Sequence, residues 1–369
     1  MKERRMLHQT EPVEKYRHDG RRHQVSQTES TQTPATEGLG TQRGPAEVLS
    51  RALRQAARIG TYRQTGIVVA EVVLFLVFTA LSPRFLSSYN IINIILQSVV
   101  TGLLALGETF VIITAGIDLS AGSILAVSAV SAGLLLIHGT SFAIALIGPL
   151  IIGALAGLVN GLIITLIRIT PFIATLGTMS IYAGIALILA GGQTVYGIPL
   201  SFEGLLGGSL GPIPIPVLVL LAVLLLAAAT LKYTKLGEYA IAIGGNAEVA
   251  RLAGINLSVY TSAVYVVAGA LCALGGMISV ARLGAADPTS GSDLLLPAIA
   301  ASVMGGANLM GGEGSMLGAV VGAVLISTLQ AGLTFLNVQA FYQEVVVGVV
   351  IILALALNRF QNRFQNGHA

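Results

Sequence analysis

TKLGEYAIAIGGNAEVARLAGINLS, residues Thr234–Ser258, is a polar, glycine-punctuated stretch between two long apolar runs, 213–232 and 259–281. A loop joining two membrane helices needs only a few residues, because longer connections cost entropy and gain nothing. This segment is far longer than that. Its AEVARLAGI core, 247–255, reads as a short helix lying outside the bilayer. A membrane protein that keeps a small helix on one face has a surface there for touching something else.

The apolar runs on either side decide the class. The chain is 54% hydrophobic and 10% charged, far from the ~25% charged residues of soluble domains. Many stretches approach the ~20 apolar residues that cross ~30 Å of hydrocarbon. The reading is an all-α polytopic membrane protein of about ten spans, near 66–82, 91–115, 119–137, 142–167, 171–190, 213–232, 259–281, 293–311, 314–335 and 341–358. Two glycine-rich turns, Gly116–Gly122 and Gly305–Gly314, interrupt helix and are expected to be tight or re-entrant, since irregular backbone at membrane depth survives only where protein or water satisfies it.

Residues 1–60 are polar and basic, without apolar periodicity, and are expected to form a disordered cytoplasmic tail with a short amphipathic helix near Ala46–Arg58. Residues 61–369 form the membrane domain. The first apolar run reads as an uncleaved signal anchor. With the N-terminus inside, Arg168, Lys232, Lys235, Arg251, Arg359 and Arg363 fall inside and only Arg84 and Arg282 outside. The positive-inside bias therefore places both termini and Thr234–Ser258 in the cytoplasm. Gly191–Pro212 becomes an external loop, a surface for a partner or a gate. The basic tail lacks interleaved aromatics, so membrane lipid explains it better than nucleic acid.

Small residues recur four apart at Gly153–Gly157–Gly161 and at Gly314–Gly318–Gly322, a spacing that lets helix backbones approach closely. A repeat relating spans 2–5 to spans 7–10 would invert topology, but the similarity between the halves is too weak to establish it. Glu71, Glu108 and Asp118 are the ionisable groups in or beside early spans, where charge is costly and usually purposeful. Asp118 is expected to cap the helix that follows it. Asn160 and Asn308 are amides in need of partners. Cys272 reads as a small buried hydrophobe and His138 stands alone, so no metal site is indicated. No paired catalytic residues and no G-x-x-x-x-G-K-[ST] occur. An ATP-driven machine would need ATP and its Mg on another chain.

Five blocks in order complete the reading: GETFVIITAGIDLSAGSILAV (Gly107–Val127), TPFIATLGTM (Thr170–Met179), Thr234–Leu257, IAASVMGGANLMGGEGSMLGAVVGAVLI (Ile299–Ile326) and FYQEVVVGVVIILAL (Phe341–Leu355). Together they resemble the permeases of bacterial ribose-type ABC sugar importers, over about residues 66–358. The resemblance implies a bacterial inner-membrane permease, not an enzyme, that passes a monosaccharide-like solute. Its partners would be a second permease subunit, identical or different, a cytoplasmic ABC ATPase, and a periplasmic or lipid-anchored binding protein. Residues 247–255 would then be a coupling helix seated in the ATPase. Gly237, Glu238, Gly244, Asn246, Glu248, Ala250, Arg251 and Gly254 would shape that contact. Asp118, Asn160, Thr175 and Asn308 are candidate pathway residues. Two other readings stay open: an ion-coupled secondary transporter using Glu108 or Asp118, and a related permease for branched-chain amino acids or nucleosides.

Overall fold

The computed structural model describes residues 61–366, with side chains over 66–353; the polar tail lies outside the described residues. Twelve α-helices of more than one turn follow in order among them. These are α1 (Thr61–Leu81), α2 (Ser88–Ile113), α3 (Ala121–Ile137), α4 (Phe142–Leu162, continued by a π-turn over Ile163–Ile167), α5 (Pro171–Ala190) and α6 (Ile215–Tyr233). Then come α7 (Lys235–Gly245), α8 (Ala247–Leu252), α9 (Leu257–Leu283), α10 (Leu295–Met304), α11 (Met316–Phe335) and α12 (Ala340–Asn366). Among the described residues, α2, α4 with its π-turn, α5, α6, α9 and α11 are long and apolar enough to cross a membrane.

The centre is α2 against α9. Every residue of α2 from Ser98 to Ile113 is buried. The two helices run antiparallel: Gly107 faces Ala268, Gly275 faces Leu104 and Val100, and the Arg282 guanidinium donates to Leu96 O at 2.9 Å. By contrast α5 and α6 turn side chains such as Ile188 and Leu225 outward, 80% and 71% exposed. Outward apolar side chains of this kind suit a surface that meets lipid tails or the apolar face of another chain.

The expected small-residue seams are present. Along α4, Gly153 packs on the Gly269 carbonyl, Gly157 on the Tyr265 carbonyl, and Gly161 on Ser262 of α9. On α11, Gly318 meets the backbone of Gly305 and Gly322 that of Ala301 in α10, while Gly314 packs on Ile113. Without water to expel, helices in lipid hold together by close packing, and a missing Cβ brings two backbones into contact.

Three expectations need amendment. The eighth expected span, 293–311, is helical only over the ten residues of α10, about 15 Å at 1.5 Å per residue and half of a bilayer core. The chain before it instead descends along α3: Ala286 lies against Gly133, and Gly291 against Gly122. The all-α reading gains two small two-stranded ladders, Val195–Tyr196 with Ala285–Ala286 and Ser209–Leu210 with Ile213–Pro214. These order the 191–214 segment, whose Phe202 is fully buried and meets Phe142 edge-on with ring centroids 5.8 Å apart. Finally, the polar segment holds two helices, α7 and α8, rather than one.

The descending segment exposes a repeat that the sequence carries in plain view. Asp118-Leu-Ser-Ala-Gly-Ser123 and Asp287-Pro-Thr-Ser-Gly-Ser292 share the pattern D-x-[ST]-x-G-S. Both fold alike. Asp118 Oδ1 accepts from Ser120 N at 2.9 Å and Ser120 Oγ at 2.6 Å; Asp287 Oδ1 accepts from Thr289 N at 2.8 Å and Thr289 Oγ1 at 2.7 Å. Ser123 Oγ then donates to Ser120 O, as Ser292 Oγ does to Thr289 O. One copy follows α2 and the other follows the antiparallel α9, so the units are inverted. They touch at Gly122 and Gly291, each packed on the other's carbonyl.

A Gly157→Leu variant is expected to force α4 from α9 and to lower stability by about 3 kcal/mol or more, the upper range for overpacking. Gly177→Leu, on a glycine with open space around it, is expected to change little. Thermal unfolding of the two in detergent compares them directly.

Candidate functional site

The projection formed by α7 and α8 is built by capping at each corner. Thr234 Oγ1 accepts from Gly237 N at 3.4 Å where α7 starts, and Gly237 itself sits against the Leu231 backbone. Gly244, near the end of α7, is wedged between Ile113 O and Gly312 N. This ties the projection to the end of α2 and to the Gly305–Gly314 turn. Asn246 caps α8: its Oδ1 accepts from Glu248 N and Val249 N, both at 3.0 Å. At the other end Gly254 has φ +85°. Gly254 N donates to Arg251 O and Ile255 N to Ala250 O, the paired bonds of a Schellman stop. A six-residue helix is too short to persist alone in water; two fastened ends hold this one.

The eight expected contact residues divide by role. Gly237, Gly244 and Gly254 shape the backbone, and the Asn246 side chain is spent on its cap. Glu248 and Arg251 pair with each other, through 3.1 Å and 2.6 Å hydrogen bonds, on an exposed face. Ala250 is 3% exposed and faces inward, so it seats α8 rather than presenting it. Glu238 is exposed in the first turn of α7. Two side chains outside that set stand out: Val249 and Leu252, 60% and 75% exposed. Their i, i+3 spacing puts them on one face, and that spacing beside a capping Asn was the signal available for finding them.

Below α8 lies a cavity of ≈ 650 Å³ whose walls include Thr114, Gly116, Thr165, Arg168, Arg251 and Tyr265. Because Arg251 belongs to α8, any shift of α8 reshapes this space. Arg168 closes α4 in the left-handed region, φ 63°, a conformation that costs a non-glycine residue about 1 kcal/mol or more.

Beyond Tyr265 sits a buried polar cluster. Asn160 Nδ2 donates to Ser120 Oγ at 2.7 Å and lies 3.4 Å from Asp118 Oδ1. The Thr175 hydroxyl is 3.1 Å from Ile117 O and 2.9 Å from Pro171 O, so its one proton is shared between them. Three of the four expected pathway residues, Asp118, Asn160 and Thr175, are thus gathered around one turn. Asn308 is not. It accepts from Met310 N at 3.1 Å in a local turn of the Gly305–Gly314 loop. Asp118 also differs from its expected part: the capping position of α3 is Ser120, and Asp118 braces the turn before it. Glu108 and Tyr265 join the cluster from α2 and α9, 1% and 0% exposed. Asp118 Oδ2, Asn160 Oδ1, Tyr265 OH and both Glu108 oxygens have no partner within hydrogen-bond geometry among the described residues. Glu71 Oε1 accepts from Thr328 Oγ1 at 2.8 Å and joins α1 to α11, while its Oε2 likewise has no partner among the described residues.

Residues 90–355 match the family model described as branched-chain amino acid transport system / permease component. The chain is 39% identical over 303 residues to the ribose import permease protein of Bacillus subtilis (strain 168), covering 81% of this chain and 94% of that protein. It is 38% identical over 304 residues to the D-allose transport system permease protein of Escherichia coli (strain K12), covering 82% and 91%. Against the galactose/methyl galactoside import permease protein of the same strain it is 34% identical over 326 residues, covering 83% and 97%. No solved structure matches.

An Asn160→Ala variant strips the cluster of the amide that donates to Ser120, whose hydroxyl keeps its bond to Asp118, and is expected to cost about 0.5–1.5 kcal/mol, the net worth of a lost hydrogen bond. Asn160→Asp, which sets a second carboxylate beside Asp118, is expected to cost more. Unfolding midpoints in detergent rank the two.

Proposed function

The chain belongs to the family of branched-chain amino acid transport system permease components, and on that premise we propose that it is the membrane-spanning subunit of an ATP-driven importer for a monosaccharide-like solute. Curated relatives that cover most of its length include import or transport-system permeases for ribose, allose and galactose. They favour a sugar over the branched-chain amino acid of the family description.

In this reading the chain carries out no covalent chemistry. A cytoplasmic ATPase binds and hydrolyses ATP with its Mg, a binding protein outside delivers the solute, and a second permease subunit, identical or different, completes the pathway. The observation that carries the ATPase contact is α8: capped at both ends, seated through Ala250, and showing Val249 and Leu252 to solvent. Exposed aliphatic anchors on a rigid element suit insertion into a groove, with the Glu248–Arg251 pair at the rim. Both termini then lie in the cytoplasm, on the side of α7 and α8. Motion of the ATPase would pass from α8 into the cavity wall at Arg251. It would also pass from Gly244 into the end of α2, biasing the protein between two states.

Leu252→Asp together with Val249→Asp is expected to lower ATP-driven sugar uptake at least about tenfold while the chain stays inserted, since losing a hot-spot anchor costs ~2 kcal/mol or more. Uptake is measured in cells expressing the chain together with an ABC ATPase and a sugar-binding protein that support transport by the unaltered chain. Transport that continues without the ATPase and stops when the proton gradient is collapsed would overturn the importer reading in favour of an ion-coupled carrier.

A further inference from the structure

Beside the α4–α9 seam an apolar groove of ≈ 630 Å³ runs toward the end of the molecule that carries α7 and α8. Leu158, Leu162 and Leu166 line one side, spaced four apart so that they share one face of α4 and its π-turn. Val259 and Val266 of α9 line the other, and Leu236, the second residue of α7, is among the walls at that end. Ser258 and Ser262 are its polar lining residues, and the Ser262 hydroxyl lies 3.5 Å from Thr165 Oγ1 of the π-turn. Leu162, Leu166 and Val259 are exposed, so the groove opens sideways from two spanning helices. From Leu158 to Leu166 the helix rises about 12 Å at 1.5 Å per residue. That is close to the depth of one leaflet, about 15 Å of a ~30 Å hydrocarbon core.

Cations flank the end of the groove near α7. Arg168 follows Leu166 by two residues and lines the neighbouring cavity together with Ser258, which the two hollows share. Lys235 precedes Leu236 and opens α7, and Lys232 stands just before it, with Nζ 5.2 Å from the centroid of the Tyr233 ring. Arg168, Lys232 and Lys235 are exposed and have no carboxylate partner among the described residues, where the ion pair is Glu248–Arg251. Glu238, exposed in the first turn of α7, offsets one of these charges and leaves an excess. Lys235 also sits at the positive end of the α7 dipole, where a cation is disfavoured and an anion favoured.

We propose that this groove binds an anionic phospholipid, with an acyl chain lying between α4 and α9 and the phosphate meeting Arg168 and Lys235. Apolar walls one leaflet deep, with unpaired cations at one end, match such a molecule in both its parts. Basic pockets at the ends of spanning helices attract anionic headgroups in this way. The N-terminal tail is itself basic, so it has the wrong sign to neutralise this end. A lipid held here bridges the α4–α9 seam and the root of α7, and fastens the projection to the membrane. The inference goes beyond the importer reading and is independent of the solute that crosses.

The chain contains no tryptophan, so an introduced one reports from its own position alone. Leu162→Trp and Val259→Trp, one on each wall, are made separately in the full chain and reconstituted into phosphatidylcholine vesicles. Brominated phosphatidylglycerol or brominated phosphatidylcholine is then titrated in as a fluorescence quencher. Ile188→Trp, on the outward surface of α5, is the reference. At the two groove positions, half-quenching is expected at a mole fraction about tenfold lower for the anionic lipid than for the zwitterionic one. The reference is expected to show no preference. Arg168→Gln combined with Lys235→Gln is expected to bring the groove positions to the behaviour of the reference. Equal quenching by both lipids in the groove marks ordinary boundary lipid and overturns the proposal. Quenching of the reference with neither lipid reaching the groove, as when a second subunit covers it, also overturns it. So does a preference that survives the loss of both cations. The importer reading stands under each of these results.

Discussion

Gly122 and Gly291 meet backbone to backbone, and much of the membrane domain is arranged around that contact. Non-helical chain inside a bilayer must satisfy its own polar groups. The two D-x-[ST]-x-G-S turns do so with an Asp that takes the backbone N–H and the hydroxyl of the same residue two positions on. Each turn thereby leads into a short apolar helix, Ala121–Ile137 after the first and Leu295–Met304 after the second. Only glycine lets the two turns touch. With them in place, α3 is kept to Ala121–Ile137 and α10 to Leu295–Met304, and the antiparallel α2 and α9 become the axis against which the rest packs.

The ends of the molecule then differ for a reason. On the side of α7 and α8 the polar residues of the first turn are locked among α2, α4, α5 and α9, and the remaining space is a cavity that α8 helps to wall. At the opposite end the second turn remains open and polar. Gly244, pinned between Ile113 and Gly312, ties α7 to the end of α2 and to the Gly305–Gly314 turn, and α8 shares the wall of the cavity beneath it with Tyr265 and Gly116.

The sequence made the long helices legible because hydrocarbon thickness dictates run length, and α2, α4, α5, α6, α9 and α11 lie within a few residues of their expected limits. It misled where packing overrides length or propensity. KLGEYAIAIGG carries three glycines and reads as loop, yet it is the helix α7, since Gly237 and Gly244 serve close approach to Leu231 and to Ile113. LLLPAIAASVM reads as part of a full span; the turn bonds of Asp287–Ser292 leave it only half of one. Asp118, Asn160 and Thr175 were recognisable as polar groups in apolar surroundings. Their convergence, and the exclusion of Asn308, needed the fold. On α8 attention to small and polar residues passed over Val249 and Leu252, which are the exposed ones.

The meeting of Gly122 with Gly291 also limits how the two halves can move. Each carbonyl occupies the notch left by the other's absent side chain, so sliding one half along the other would drive backbone into backbone. The contact is therefore a lock as well as a seam: at this spacing neither turn can gain a side chain or shift along its own chain without striking the other's carbonyl.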